Sequence, residues 1–357
     1  MNLIDSDVHV YWKAPGEIAR YLDETWRHRW HHGGGHTASG LRLCPKYYDP
    51  DVGAGYGPAR AVTDAETLEA GWRAPHRFDA VILSVYDAPL LSTFGDVDYP
   101  VAVATAVNRW LEEAFLSRNP RFHGSITVAT QDPAAAAREI RRAAQNPQMV
   151  QVVLPAGTRL PYGHRVYHPI FEAAAECGLA VAIAAGTEGL GTSHPPTPDG
   201  WPGTMAEMTV AVATNYLCQI TSLITEGVFA RWPQLRIIGQ ETGVAWLPPY
   251  VWRFEKNFKA LRSECPWVRD LPGEMVSRHF RFTSQGAGPA EPPEALWRLL
   301  DSVPDARSLL LYSGNHPRHD CEPPESSFAL TTCPEAWRGA IAAENALATF
   351  PRLVKGS

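Results

Sequence analysis

The sequence predicts an α/β fold, a (β/α)8 TIM barrel in a single domain with long loop insertions, and three observations predict it. Eight strand-like runs recur along the 357 residues. Helical patterns separate them, which is the signature of a parallel sheet with helical crossovers. The first run, in MNLIDSDVHV, ends in Asp5, Asp7 and His9 at alternate positions. Polar, chemistry-bearing groups at the C-terminal end of a first strand sit where barrels build their sites.

The strand-like runs are Leu3–Val10, Ala80–Val85, Gly124–Ala129, Val150–Leu154, Leu179–Ala185, Arg236–Thr242, Arg281–Gln285 and Leu309–Ser313. Several are continuous apolar runs, as a parallel strand buried on both faces requires. Helices are expected over Ala102–Ser117, Pro133–Ala144, Pro169–Cys177, Thr209–Ala230, Pro249–Leu261 and Pro293–Leu300, several opening on a proline suited to the first turn. The segment 12–76 reads as one irregular first loop, rich in Gly, Trp, His and Tyr, at the mouth of the barrel. A second long loop covers 186–203. Loops of this length act as lids, binding elements or subunit contacts. The barrel is expected over 1–350, with 351–357 as a tail outside it.

A 45% hydrophobic content allows one large core. The formal charge of −6, with no basic run, argues against a nucleic-acid partner. No apolar stretch approaches the roughly 18–20 residues that cross a bilayer, and no basic segment precedes the first strand as in a signal peptide. The six cysteines are scattered without a C-x-x-C pair, so a reduced, cytoplasmic protein is expected and no cysteine nucleophile is indicated. Cys177 and Cys218, within helical patterns, are expected to be buried.

On one strand face, Asp5, Asp7 and His9 could form a metal or acid/base centre. Asp7 beside His9 should raise the imidazole's basicity and fix its tautomer. Glu241 ends an apolar run, so desolvation should raise its pKa toward a working range. The loop after the eighth run offers His316, Arg318, His319 and Asp320, and Arg318 has the forked geometry that clamps a carboxylate. The cluster Trp26, His28, Trp30, His31, His32 and His36 fits no metal spacing and reads as an aromatic lid or a contact with a neighbouring subunit. Tyr162, His164 and His168 follow the fourth run, with His164 the pocket candidate, and His194 is a loop histidine. Tyr11 and Trp12 are the preferred aromatic wall for a planar substrate; Trp201 and Trp246 are further candidates.

The segments IDSDVHVYW, CGLAVAIAAGTEGLGTSHPPT, EGVFARWPQLRIIGQETGVAWLPPYVWRFEKNFK and LLLYSGNHPRHD, with AENAL near the end, resemble the amidohydrolase-related family, which includes aminocarboxymuconate-semialdehyde decarboxylase. The resemblance spans nearly the whole chain. It implies a distorted TIM barrel, a divalent metal at its mouth, and hydrolysis or decarboxylation of small, often aromatic-derived acids. In this alignment of motifs Asp7 and His9 stand at the opening metal pair and Glu241 at the catalytic position of the sixth strand. Ala184 stands where the fifth strand carries a ligand histidine. Asn315 replaces the eighth-strand aspartate and Arg318 the histidine after it. A methyl group cannot coordinate a metal, and a neutral amide is a poor ligand and no base. The resemblance therefore implies a degenerate metal site.

The resulting expectation is a metal-independent enzyme, hydrolase or carbon–carbon lyase-like, with no cofactor. General acid/base catalysis by His9 and Glu241, with Asp7 and His319, would support hydrolysis, decarboxylation, elimination or cyclisation. The substrate would be a small organic molecule, aromatic or carboxylate-bearing, in specialised biosynthesis, held by Tyr11, Trp12, His164, Asn315 and Arg318. One alternative is a metal-dependent hydrolase or decarboxylase whose zinc is held by Asp7, His9 and Glu241. Another is an inactive homologue that binds a ligand or stabilises a partner. A homodimer is consistent with the resemblance, with its contact in the 12–76 loop.

Overall fold

The computed structural model describes residues 2–32, 62–86, 88–288, 291–318 and 320–354. Eight strands form one sheet: β1 (Ile4–Val10), β2 (Ala80–Val85), β3 (Phe122–Thr127), β4 (Met149–Pro155), β5 (Ala180–Ala184), β6 (Ile237–Gln240), β7 (Phe280–Thr283) and β8 (Leu310–Leu311). They are parallel and neighbour one another in chain order. Ser6 N–H donates to the Tyr312 carbonyl at 3.0 Å and His9 N–H to the His316 carbonyl at 2.8 Å, which joins β1 to the segment after β8. The sheet thus curls into the predicted barrel.

The strands are apolar because both faces are buried. Inside, Ile4, Ile82, Val150, Ala182, Ile238 and Leu311 pack with Ala343, Ala346, Phe350 and Leu353 of the C-terminal helical segments, which plug the N-terminal end. Outside, Val8, Val10, Val81 and Leu83 join a larger core with the surrounding helices. The helix Asp98–Ala114 contributes Val103, Val107, Trp110 and Leu111, the one-sided spacing of an amphipathic helix. Above the apolar plug the interior turns polar: Gln151 donates to Ser125 Oγ at 2.7 Å, and Ser125 and Ser84 hydroxyls lie 3.1 Å apart. The site opens over this layer.

An irregularity in β1 decides what faces inward. Asp5 pairs with Val81 and Val8 with Leu83, so three steps of β1 oppose two of β2. This is a β-bulge, and it inverts the alternation beyond it. Val81 and Leu83 belong to the outer core; Asp5 and Val8 therefore face outward, while His9 pairs with Ser84 on the interior. The expectation that Asp5 shares a face with Asp7 and His9 is corrected. Asp5 instead accepts from the Trp72 indole N–H and the Gly314 N–H, both at 2.9 Å.

Further differences have local causes. The predicted helix Thr209–Ala230 is three pieces, Met205–Ala211, Ala213–Thr225 and Val228–Arg231, the last set off by Gly227, which turns left-handed at φ 78°. The helix Pro272–His279, hidden behind a Pro-Gly that reads as a turn, is held by Glu274 accepting from Leu271 N–H. The described parts of the 12–76 loop carry helices Gly16–Ala19, Glu24–His32 and Ala65–Leu68. Residues 351–354 are not a loose tail. Leu353 is buried in the plug, and Arg352 donates to the carbonyls of Ala144, Asn146 and Cys177. Cys218 is exposed and Cys177 half-buried, whereas Cys265 and Cys333 are buried; Cys44 lies outside the described residues. No helix of the described residues is long and apolar enough to cross a membrane.

Candidate active site

Five residues from three strand ends bring the chemistry together. Asp7 and His9 come from the inward side of β1, Glu241 from the residue after β6, and Asn315 and Arg318 from the loop after β8. Glu241 and Asn315 both adopt left-handed backbone, with φ of 57° and 52°. Asparagine tolerates that conformation, but for glutamate it costs roughly 1–2 kcal/mol. Strain of this kind clusters at functional sites. Here it turns both side chains off their strands toward His9.

His9 is the centre. Its Nε2 lies 2.8 Å from Asn315 Oδ1, and 3.7 Å from both Asp7 Oδ1 and Glu241 Oε1. Asn315 Nδ2 donates to Asp320 Oδ1 at 2.9 Å, and Gln285 Nε2 donates to the other oxygen of Asp320. Arg318 Nη1 donates to Glu241 Oε1 at 3.1 Å, with its guanidinium 5.9 Å from the centre of the Tyr86 ring. Tyr86 meets His9 edge-on at 6.0 Å. Behind this layer the His316 ring stacks on Trp72 at 4.4 Å.

Burial sets the charge states. It pushes His9 down to about 3, helped by the positive charge of Arg318 and opposed by the Asn315 hydrogen bond. Asp7 therefore does not make His9 a stronger base, and Asn315 rather than Asp7 engages its Nε2. That part of the expectation is corrected. Asp7 is held well above the usual carboxylate range, first by burial and then by the neighbouring charges of Glu241 and Asp5. Both Asp7 oxygens are buried without a hydrogen-bond partner among the described residues. Burial also raises Glu241, with Arg318 the main opposing influence. Asp5, beneath the site, is raised to about 7 by burial against its backbone hydrogen bonds.

Asp7, His9 and Glu241 converge as a cation site could, with one ligand atom each lying within 4.8 Å of the others. Two carboxylates and an imidazole suit a divalent ion in kind, and the bare oxygens of Asp7 suit one in place. The arrangement as it stands fits less well. A catalytic zinc takes about three protein ligands, whereas His9 Nε2 is turned to Asn315 and Glu241 Oε1 to Arg318. Ala184, half-buried at the end of β5, adds no donor. Asp7 is open to a cation, whereas His9 Nε2 and Glu241 Oε1 would each have to share or leave a hydrogen-bond partner to ligate one; on those terms the three groups could hold a divalent ion.

The other predicted residues fall elsewhere. Tyr11 and Trp12 are buried and stacked at 4.0 Å; Trp12 turns to Trp30 and Trp110 in the helical layer, and Tyr11 backs Tyr86. They support the site from behind and do not wall it. His164 is exposed, and its Nδ1 accepts from Val166 N–H, so it caps a turn. His168 packs edge-on against Trp232, and Tyr162 is buried with its hydroxyl on the Pro155 carbonyl. Trp246 donates to the Thr242 carbonyl and packs against Phe282; Trp201 is exposed. Trp26 packs on Tyr99 of the helix Asp98–Ala114, tying the loop to the helical layer, and the Trp30 indole donates to the Pro15 carbonyl within the loop. His319 and His36 lie outside the described residues.

Three contributors were missed in the sequence. Tyr86 directly follows β2, a position that could have flagged it. Gln285 stands two residues after the end of β7. Glu188 is buried, with one oxygen accepting from Gly186 N–H at 2.8 Å and the other unpartnered among the described residues. Within a Gly- and Thr-rich loop it carries no signal that separates it from a solvated glutamate.

Comparison with known proteins follows this geometry. The structure is similar to a 5-carboxyvanillate decarboxylase from Sphingomonas paucimobilis, at 23% identity and a TM-score of 0.67, covering 98% of this chain and 99% of that one. It is similar to a dihydroxybenzoic acid decarboxylase from a Polaromonas species, solved with manganese and 2-nitroresorcinol, at 19% identity and a TM-score of 0.69, covering 98% and 97%. A 5-carboxyvanillate decarboxylase from Novosphingobium aromaticivorans, solved with manganese and a nitrobenzoic acid, shares 20% identity at a TM-score of 0.69, covering 98% and 96%. Likeness at these identities shows the barrel fold. No curated protein matches the sequence. The family model described as amidohydrolase matches residues 4–352, nearly the whole length, and the chain belongs to the amidohydrolase family of enzymes.

Proposed function

We propose that this protein is a decarboxylase-like carbon–carbon lyase that removes a carboxylate from a small aromatic acid by acid/base chemistry, without a metal. The observation that carries the reading is the unequal pair of buried carboxyls. Asp7, whose carboxyl oxygens have no hydrogen-bond partner among the described residues, is driven toward its protonated form, while Glu241 is ion-paired with Arg318. Two neighbouring carboxyls in such different surroundings take different roles, Asp7 as the proton donor and Glu241 as the charge partner of Arg318.

The substrate carboxylate would bind against the Arg318 guanidinium. Asp7 would deliver its proton to the ring carbon bearing the carboxylate. Breaking of the carbon–carbon bond then releases carbon dioxide and restores the ring, and Asp7 regains its proton from solvent. Glu241 would hold Arg318 in place and steady the charge at the site. His9, neutral, would donate a hydrogen bond and not serve as the general base. Tyr86 and the apolar strand ends would exclude water.

The relatives named for hydroxylated benzoates supply the first compounds to try. Chelator-stripped protein is incubated with 2,6-dihydroxybenzoate and with 5-carboxyvanillate, and carbon dioxide release is followed. Turnover that chelator leaves unchanged is expected. Turnover that appears only on adding manganese would overturn the metal-free reading in favour of a metal-dependent decarboxylase, which the bare oxygens of Asp7 would then serve.

A further inference from the structure

Asp320 plays no direct part in that mechanism, yet both of its oxygens are engaged by amide donors: Asn315 Nδ2 at 2.9 Å on Oδ1, and Gln285 Nε2 on Oδ2. An ionised carboxylate has no proton to donate. It therefore dictates the orientation of the Asn315 amide, because the reversed amide would set its carbonyl oxygen against the carboxylate. With the NH2 group committed to Asp320, only Oδ1 faces His9. Oδ1 is purely an acceptor, so the 2.8 Å contact requires a proton on His9 Nε2. The ring is fixed from other sides as well. Tyr86 lies edge-on to it, and the His9 backbone N–H, bonded to the His316 carbonyl, holds the strand that carries it.

We propose that Asp320 and Asn315 form a relay that locks His9 in the tautomer protonated on Nε2, and that this lock withholds from any metal the nitrogen that faces Asp7 and Glu241. Asp320 is a positioning residue acting through Asn315. The relay presents an N–H donor, and not a lone pair, to the cluster. Nδ1 keeps the lone pair. This inference deepens the metal-free reading above and rests on it for its catalytic meaning, but the tautomer itself is observable without turnover.

The test uses the full chain labelled with nitrogen-15 histidine, with His9 signals assigned by their loss in His9→Gln. Two-bond nitrogen–proton correlations distinguish the tautomers. In the wild type a protonated Nε2 and an unprotonated Nδ1 are expected, unmoved by added zinc. In Asp320→Ala the Asn315 amide can turn over, and a second form protonated on Nδ1 is expected to appear. Asp320→Asn, which preserves size but can present either end of its amide, is expected to do the same and serves if the alanine variant fails to fold. Asn315→Asp, an acceptor toward His9, should keep Nε2 protonated. A wild-type ring protonated on Nδ1, a zinc-induced shift of Nε2, or an Asp320 variant with an unchanged pattern would overturn the relay. If the tautomer is as expected and no benzoate is turned over, the relay stands and the proposed reaction falls.

Discussion

Arg318 Nη1 donates to Glu241 Oε1 across 3.1 Å, joining two side chains that are 14% and 11% exposed and 77 residues apart in sequence. A guanidinium so placed puts a fixed positive charge among the acidic groups of the barrel mouth. It opposes the protonation of both Glu241 and Asp7.

Removing that charge should have two effects. Arg318→Ala should lower kcat/KM for a carboxylate substrate by at least ~30-fold, since truncating one partner of a buried charge pair costs about 2–5 kcal/mol. It should also raise the proton affinity of Glu241 further, moving the acid limb of the kcat/KM profile to higher pH. Steady-state rates across pH check both, and Arg318→Lys should recover only part of the loss because lysine lacks the planar fork.

The carboxyl pair predicts a separation of activity from stability. Asp7→Asn should lower kcat by roughly 10²–10⁴-fold, the usual range for a lost general acid, and Glu241→Gln should lower kcat/KM by at least ~30-fold, as for its ion-pair partner Arg318. Asp7→Asn should melt close to the wild type, because the amide resembles the protonated carboxyl that burial favours. A large drop in melting temperature with little change in rate would assign Asp7 a structural role.

His123, buried on β3 with its Nδ1 unpartnered among the described residues, is pushed down to about 4 by burial. Between that value and its ordinary 6.5 the unfolded chain binds more protons than the folded one. Its contribution to stability is therefore fully present above pH 6.5 and lost as pH falls through the window. His279 and His316, each pushed down to about 4, act in the same sense. Asp5 acts oppositely: raised from 3.8 to about 7, it favours the folded state at low pH and loses that contribution as pH rises. Relative to wild type, His123→Gln should gain about 2–3 kcal/mol between pH 6.5 and 4.5. Denaturant titrations at the two pH values measure it.

Gly314 tests the support beneath the site. A Cβ there would lie 2.7 Å from Asp5 Oδ2 and closer still to the Trp72 ring. Gly314→Ala should destabilise by about 1–3 kcal/mol through overpacking. It should also reduce activity by shifting the segment that carries Asn315 and Arg318. Thermal melts and rates together check it; a variant as stable as wild type would show that the loop yields freely.

Much of the barrel was legible because two-sided burial writes parallel strands as apolar runs. The strand ends were legible for the same reason: Glu241 breaks such a run, and Asp7 and His9 close one. The facing of Asp5 was not legible, because a bulge leaves no mark in the spacing of polar residues. Nor was the engagement of His9 by Asn315, or of Glu241 by Arg318, since both pairs meet only when the segment after β8 closes beside β1 and reaches across the mouth to the end of β6. Trp12 and His164 show the opposite error. Trp12 sits just past β1 and His164 in the loop after β4, where pocket residues belong, but Trp12 turns into the helical layer and His164 into solvent. Position along a strand places a residue at the mouth without fixing its direction.

The most direct test of the central claim is to measure metal content and benzoate turnover in the same chelator-treated sample. The account predicts turnover at full rate with zinc, manganese and iron far below stoichiometric. Turnover that falls in proportion to the metal removed, and returns when it is restored, would contradict it and make Asp7, His9 and Glu241 ligands.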